Sequence, residues 1–123
     1  MKKKAEFDWI RRHDGTSEFE EFIDLLPVKD AAKLLAVIRN TEIEGIATAI
    51  KMQWVKKLDY DLYELRSKQG GNIQRAIYFH KSGTQYMITH GFTKKTQKTP
   101  NQEIEHGRVM RGQYRKGYRD EQN

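Results

Sequence analysis

The stretch Leu62–Lys94, "LYELRSKQGGNIQRAIYFHKSGTQYMITHGFTK", decides the fold. Three runs rich in Tyr, Ile, Phe and Thr, namely Leu62 to Lys68, Asn72 to Lys81 and Thr84 to Lys94, are separated by "QGG" and "KSG". β-Branched and aromatic side chains suit a pleated, half-buried surface, and the glycines supply the conformations that tight hairpins need. The stretch reads as a three-stranded antiparallel meander. "WVKKL" before it is either a lead-in strand or an extended loop.

Upstream the period changes. "AEFDWI", Ala5 to Ile10, alternates with Phe7 and Trp9 on one side and reads as an opening strand that can extend the sheet. Ser17 with Glu20 three residues on spells a capping box, in which each side chain satisfies an orphan amide at a helix start. Phe19, Phe22, Ile23 and Leu26 follow at helical spacing up to Pro27. A second helix is expected from Val28 to Glu44, with Ala31, Leu34, Leu35, Ile38 and Ile43 as its apolar stripe and Gly45 as its stop. The two form an antiparallel hairpin whose acidic outer face suits nucleic acid poorly.

Downstream lies "HGFTKKTQKTP", His90 to Pro100. Thr99, Pro100 and Gln102 spell a second capping box with proline at the first helical position. Glu103 and Glu105 favour the positive end of that helix. Arg108, Arg111, Arg115, Lys116 and Arg119 follow with no acid between His106 and Arg119, a solvated basic face with a second use against RNA or an acidic partner segment. Gly107 and Gly112 each cost about 1 kcal/mol relative to alanine inside a helix, so this helix is expected to fray. The expected class is α+β: an N-terminal helical hairpin packed on an antiparallel sheet of three to four strands, with a short C-terminal helix. Residues 1–123 form one domain with a basic tail from about 107.

Composition excludes several classes. At 123 residues with 37% hydrophobic and 33% charged, the chain suits one globular core. No apolar run approaches the ~20 residues that span a bilayer. "MKKKAEFDWI" has a basic start without an apolar core, so no signal peptide is expected. The absence of cysteine removes disulfides, thiolate nucleophiles and cysteine-based zinc sites, and fits a cytoplasmic setting. His13, His80, His90 and His106 show no ligand spacing, so neither a metal nor another cofactor is expected.

Charge is placed unevenly. Residues 1–50 carry eight Lys/Arg against ten Asp/Glu, a net of −2, and residues 51–123 carry fifteen against seven, a net of +8. A basic second half points to a polyanion, with solubility as the plainer alternative. A connector between strand and helix needs the glycine, the cap and the proline of "HGFTKKTQKTP". It does not need three lysines.

The order of capped helix, helix, "LYELRSK", "IQRAIYF" and "HGFTKKTQKTP" resembles the RelE/ParE/HigB superfamily of toxins from type II toxin–antitoxin pairs, closest to its phage-derived HigB-like branch. The likeness runs from about Ala5 to Tyr114. It implies a ribosome-dependent, metal-free endoribonuclease that cuts messenger RNA in the cytoplasm. It also implies a helix-turn-helix, HigA-like antitoxin that holds the toxin inactive, with a heterotetramer as one form of the complex.

Metal-free RNA cleavage needs the 2′-proton removed, the phosphorane charge neutralised and the 5′-oxygen protonated. Arginine suits the second task because its planar fork meets phosphate with two bonds. The superfamily's phosphate-binding arginine falls on Arg75, which sits between Ile73 and Ile77 and is expected to face an open groove. Arg66 either joins it, pairs with Glu64 or stays solvated. Lys94 and Lys95 match the family's basic pair, and Lys98 is a further phosphate contact. The resemblance fails on one strand: Leu62 and Glu64 stand where the best-known branch has catalytic lysines, which leaves the base unassigned. His90 and Tyr63 are the substitutes, His90 because it titrates near neutrality. Phe92 is either core or a platform for an unpaired base.

Two rivals differ in kind. The ParE branch of the fold inhibits DNA gyrase by binding, without chemistry. A non-toxic nucleic-acid-binding protein of phage origin is the other.

Overall fold

The computed structural model describes residues 2–122, with side chains described through residue 117. Its elements are β1 Glu6–Trp9, α1 Glu18–Leu25, α2 Val28–Glu44, α3 Ile46–Lys51, β2 Val55–Asp59, β3 Leu62–Gln69, β4 Asn72–Ser82, β5 Gln85–Lys94 and α4 Asn101–Gln122. The strands form one sheet in the order β1-β5-β4-β3-β2. The α+β class and the central meander stand. The strand count does not: "WVKKL" supplies β2, antiparallel to β3, and β1 adds to β5 in parallel, so the sheet is mixed and has five strands.

The parallel edge follows from how α2 ends. Gly45, at φ +91°, takes a conformation that side chains rarely adopt and turns the chain after Glu44. The Glu42 carbonyl then accepts from the Lys4 and Ala5 amides at 2.8 and 3.2 Å, and its carboxylate accepts from the Phe7 amide at 2.8 Å. Beyond Gly45 the residues "IATAIK" form α3, a helix the sequence reading passed over.

α1, α2 and α3 cover one face of the sheet. Phe19, Leu34, Ile38 and Ala49 meet Val55, Leu65, Ala76, Tyr78 and Ile88 there. The expected helical hairpin is laid flat: α1 packs against β5 and α2 against β3. Ser17 caps α1, its hydroxyl accepting from the Glu20 amide at 3.3 Å. The reciprocal half of the box is replaced, because the Glu20 carboxylate accepts from the Trp9 indole at 2.7 Å. Gly91 is the contact point of α1, since a Cβ there would run into the Phe22 ring.

α4 covers part of the opposite face, where Ile104 and Tyr114 pack with Leu62, Ile77, Phe79, Met87 and Phe92. This helix is not short; it runs 22 residues. Gly107 fits a close approach to the sheet, since a Cβ there would stand 3.0 Å from Ile77 Cγ2 and Ile77 would have to give slightly. Its arginines are staples more than a free basic face. Arg108 pairs with Asp59 and Glu105, Arg111 donates to the Tyr60 and Asp61 carbonyls, and Arg115 pairs with Asp61 over the Phe79 ring. Lys116 is exposed, and the side chain of Arg119 lies outside the described residues.

Candidate functional site

The β3–β4 hairpin turns at Gly70–Gly71, and its register sets Arg66 directly opposite Arg75. The next pair sets Arg75 opposite Phe92 on β5. Alternation along each strand then puts Leu62, Glu64, Arg66, Arg75, Ile77, His90 and Phe92 on the α4 side of the sheet. Like charges directly across a strand pair are destabilising, so two opposed arginines need compensating partners.

Both arginines have such partners. Arg66 Nε donates to Glu64 Oε2 at 2.5 Å, and Glu64 is fully buried. The Thr99 hydroxyl donates to the Glu64 carboxylate, with 2.8 and 3.0 Å to its two oxygens, and accepts from Arg75 Nη1 at 3.3 Å. Thr99 is therefore no helix cap; α4 starts from the Pro100 carbonyl, which accepts from Glu103 and Ile104. The remaining fork positions meet the loop between β5 and α4. Arg66 Nη1 donates to Gln97 Oε1 at 3.1 Å and Nη2 to the Gln97 carbonyl, while Arg75 Nη2 donates to the Thr96 carbonyl.

Arg75 consequently faces no open groove. It is 0% exposed, with Phe92 beneath its guanidinium at 5.8 Å and the 95–99 loop above. Burial lowers its affinity for the proton from the ordinary arginine value, Glu64 opposing the shift and Arg66 adding to it. Its Nε is buried without a hydrogen-bond partner. Lys94, Lys95 and Lys98 are exposed around this roof. The cations thus share one side of the sheet, but a loop fills the space where an open hollow is expected.

Three expected members of the site lie elsewhere in function or place. Tyr63 points to the other face, where it stacks on Tyr78 with ring centroids 5.5 Å apart. It lines a hollow of about 460 Å³ with Lys57, Asp61, Tyr78, His80 and Tyr86. Phe92 is 8% exposed and serves as floor for Arg75, so it offers no free ring to a base. His90 is 2% exposed and held by Thr89 at 2.8 Å and Glu103 at 3.2 Å. Burial, and then His106, push its pKa down to about 4, so the ring is neutral at physiological pH but walled off from a substrate. Glu18, His90 and His106, far apart in sequence, offer ligand atoms within 4.8 Å of one another.

The arrangement can bind an anion with two guanidinium forks once the Thr96 and Gln97 carbonyls withdraw. Glu64 and Thr99 were the members that sequence reasoning missed. Glu64 was read as a departure from catalytic lysines and as a candidate partner of Arg66, which it is, but not as a bridge to Thr99, and Thr99 only as a cap. No helix among the described residues is long and apolar enough to cross a membrane. A family model described as "Phage derived protein Gp49-like (DUF891)" matches residues 21–111, a span that includes β2 to β5, the loop and the first half of α4. No curated protein matches the chain.

Proposed function

The chain belongs to the Gp49-like family of phage-derived proteins, and from that premise we propose that it is the toxin of a type II toxin–antitoxin pair, acting as an endoribonuclease on translated messenger RNA. The observation that carries the reading is the opposed pair Arg66 and Arg75, whose forks hold backbone carbonyls under a loop flanked by three free lysines. Carbonyl oxygens are weaker partners for guanidinium than phosphate oxygens, because a phosphate carries the opposite charge and meets the planar fork with two bonds. A phosphate that replaces them also gives the orphaned Arg75 Nε an acceptor.

The chemistry then assigns itself as follows. The 2′-hydroxyl attacks the adjacent phosphorus, and the 5′-oxygen leaves. Arg75 and Arg66 stabilise the charge that grows on the non-bridging oxygens. Lys94, Lys95 and Lys98 hold the flanking phosphates. With His90 enclosed, Glu64, paired with Arg66, is the carboxylate nearest the arginines and is the group that takes the 2′-proton and passes one to the departing 5′-oxygen. The partners that fit are a helix-turn-helix antitoxin, the ribosome and its messenger, in a complex that can pair two toxins with two antitoxins.

The roof supports a second reading. A covered arginine pair needs no chemistry if the chain works by binding alone, as a gyrase inhibitor does. Expression in growing cells should arrest growth, with relief from a co-expressed helix-turn-helix protein encoded beside it. A translating extract should then show cut messenger, and a supercoiling reaction should show gyrase unaffected. Growth without arrest overturns the toxin reading, and trapped gyrase with intact messenger replaces the nuclease by the inhibitor.

A further inference from the structure

We propose that Glu18, His90 and His106, with Glu103 as fourth ligand, form a site for a divalent transition-metal ion, zinc being the closest chemical match, that ties α1 to α4 across the edge of the sheet. The fold brings these residues from three separate elements. β1 pairs with β5 only as far as Ile88, so the stretch of β5 from Thr89 onward has no strand beside it on that edge. α1 packs there, with Glu18 in its first turn. α4 arrives over the same stretch with Glu103 and His106 one turn apart, a spacing that sets two ligands on one face of a helix.

The distances suit the ion. His106 Nε2 lies 2.8 Å from Glu18 Oε1, His90 Nε2 lies 3.2 Å from Glu103 Oε1, and the two imidazole rings meet edge to face at 4.6 Å. Four ligand atoms at zinc–nitrogen and zinc–oxygen bond lengths of about 2.0–2.1 Å stand roughly 3.3 Å apart in a tetrahedron. Each of these two contacts taken alone is near the length of a tetrahedral edge, and Glu103 joins the group of three through its contact with His90. The widest separation among Glu18, His90 and His106, up to 4.8 Å, closes through side-chain rotation. Two imidazoles and two carboxylates are a donor set that suits zinc better than magnesium, which prefers oxygen ligands and retained water.

The surroundings supply the second layer such sites use. Thr89 Oγ1 lies 2.8 Å from His90 Nδ1 and 3.3 Å from the Ile77 carbonyl. With its proton on Nδ1, His90 donates to the threonine, the threonine donates to the carbonyl, and the Nε2 lone pair is left facing His106 and the carboxylates. Bonds of this kind fix the tautomer and the ring orientation of a metal-ligating histidine. His106 and Glu18 are both part-exposed, at 42% and 37% of their side-chain surface, which gives an ion a way in. The site is distinct from the arginine pair and independent of the reaction proposed for it. Its effect is mechanical: it holds the first turn of α4, the landing point of the 95–99 loop.

The test uses the whole chain stripped with chelator. Titrated zinc should bind one ion per chain and raise Tm, magnesium should do neither, and cobalt in the same site should give the intense visible bands of tetrahedral coordination. His106→Ala and Glu18→Gln, which alter part-exposed side chains, should each weaken zinc binding at least tenfold while circular dichroism stays native. Thr89→Val should weaken it about tenfold through the lost second layer. A wild-type Tm indifferent to zinc, a cobalt spectrum of the hydrated ion, or zinc affinity unchanged in both ligand variants overturns the proposal.

Discussion

The α4 side of the sheet is closed in two ways. Over one half, Leu62, Ile77, Phe79 and Met87 lie under Ile104 and Tyr114 of a 22-residue helix pinned by Arg108, Arg111 and Arg115. Over the other half, Glu64, Arg66 and Arg75 lie under a five-residue loop held by two carbonyls, one glutamine side chain and one threonine hydroxyl. Removing the helix would expose apolar surface at about 25 cal/mol per Å². Removing the loop would expose polar groups that water or a phosphate can satisfy, each bond netting only about 0.5–1.5 kcal/mol. By these magnitudes the helix half costs more to open than the loop half.

The contrast is sharpened first on the apolar half. Ile77→Ala should cost about 2–5 kcal/mol of stability, because a buried cavity forms under α4. The loss is read from urea unfolding, and RNA cleavage per folded molecule should not change. Arg66→Ala should act on both stability and binding: Tm should fall because the buried Glu64 loses its ion-pair partner, and affinity of the folded protein for a non-cleavable 2′-O-methyl oligonucleotide should fall about tenfold, one charge-assisted phosphate bond of roughly 1.5 kcal/mol. Thr99→Val should loosen the roof by about 1 kcal/mol and so tighten that oligonucleotide's binding about fivefold. Weaker binding in that variant would break the comparison by making the loop part of the site and not its cover. Lys95→Ala should have the smallest effect. If four cations meet phosphates, log affinity falls against log salt with a slope near −3, and this variant should reduce the slope by about 0.7.

Much of this was legible in the residues, and what was not has physical reasons. Val28–Glu44 was readable because a long apolar stripe ends at a glycine, and the meander because glycine pairs punctuate β-branched runs. The helix "IATAIK" was hidden by its brevity, and the parallel seat of β1 depends on Glu42, more than thirty residues away in the chain. α4 looked weak because Gly107 was counted as a cost. Only the packed structure shows Ile77 standing where a Cβ would go. The arginine pair could have been found by counting, since Arg66 and Arg75 are equidistant from the Gly70–Gly71 turn. The roof could not, because its bonds come from carbonyls, which carry no sequence signature. The cluster of Glu18, His90 and His106 was not legible, because its members lie on three separate elements far apart in the chain.

The most direct test of the central claim, that Arg75 is a phosphate-binding group under a removable cover, is messenger cleavage in a translating extract by wild type, Arg75→Lys and Arg75→Ala, each confirmed folded by circular dichroism. The account predicts cut messenger with wild type, a drop of about 10²–10³ with Arg75→Ala, comparable to removing one donor to a developing oxyanion, and only partial rescue by lysine, which keeps the charge but not the fork. Equal cleavage by all three folded proteins would contradict it and leave Arg75 a structural arginine.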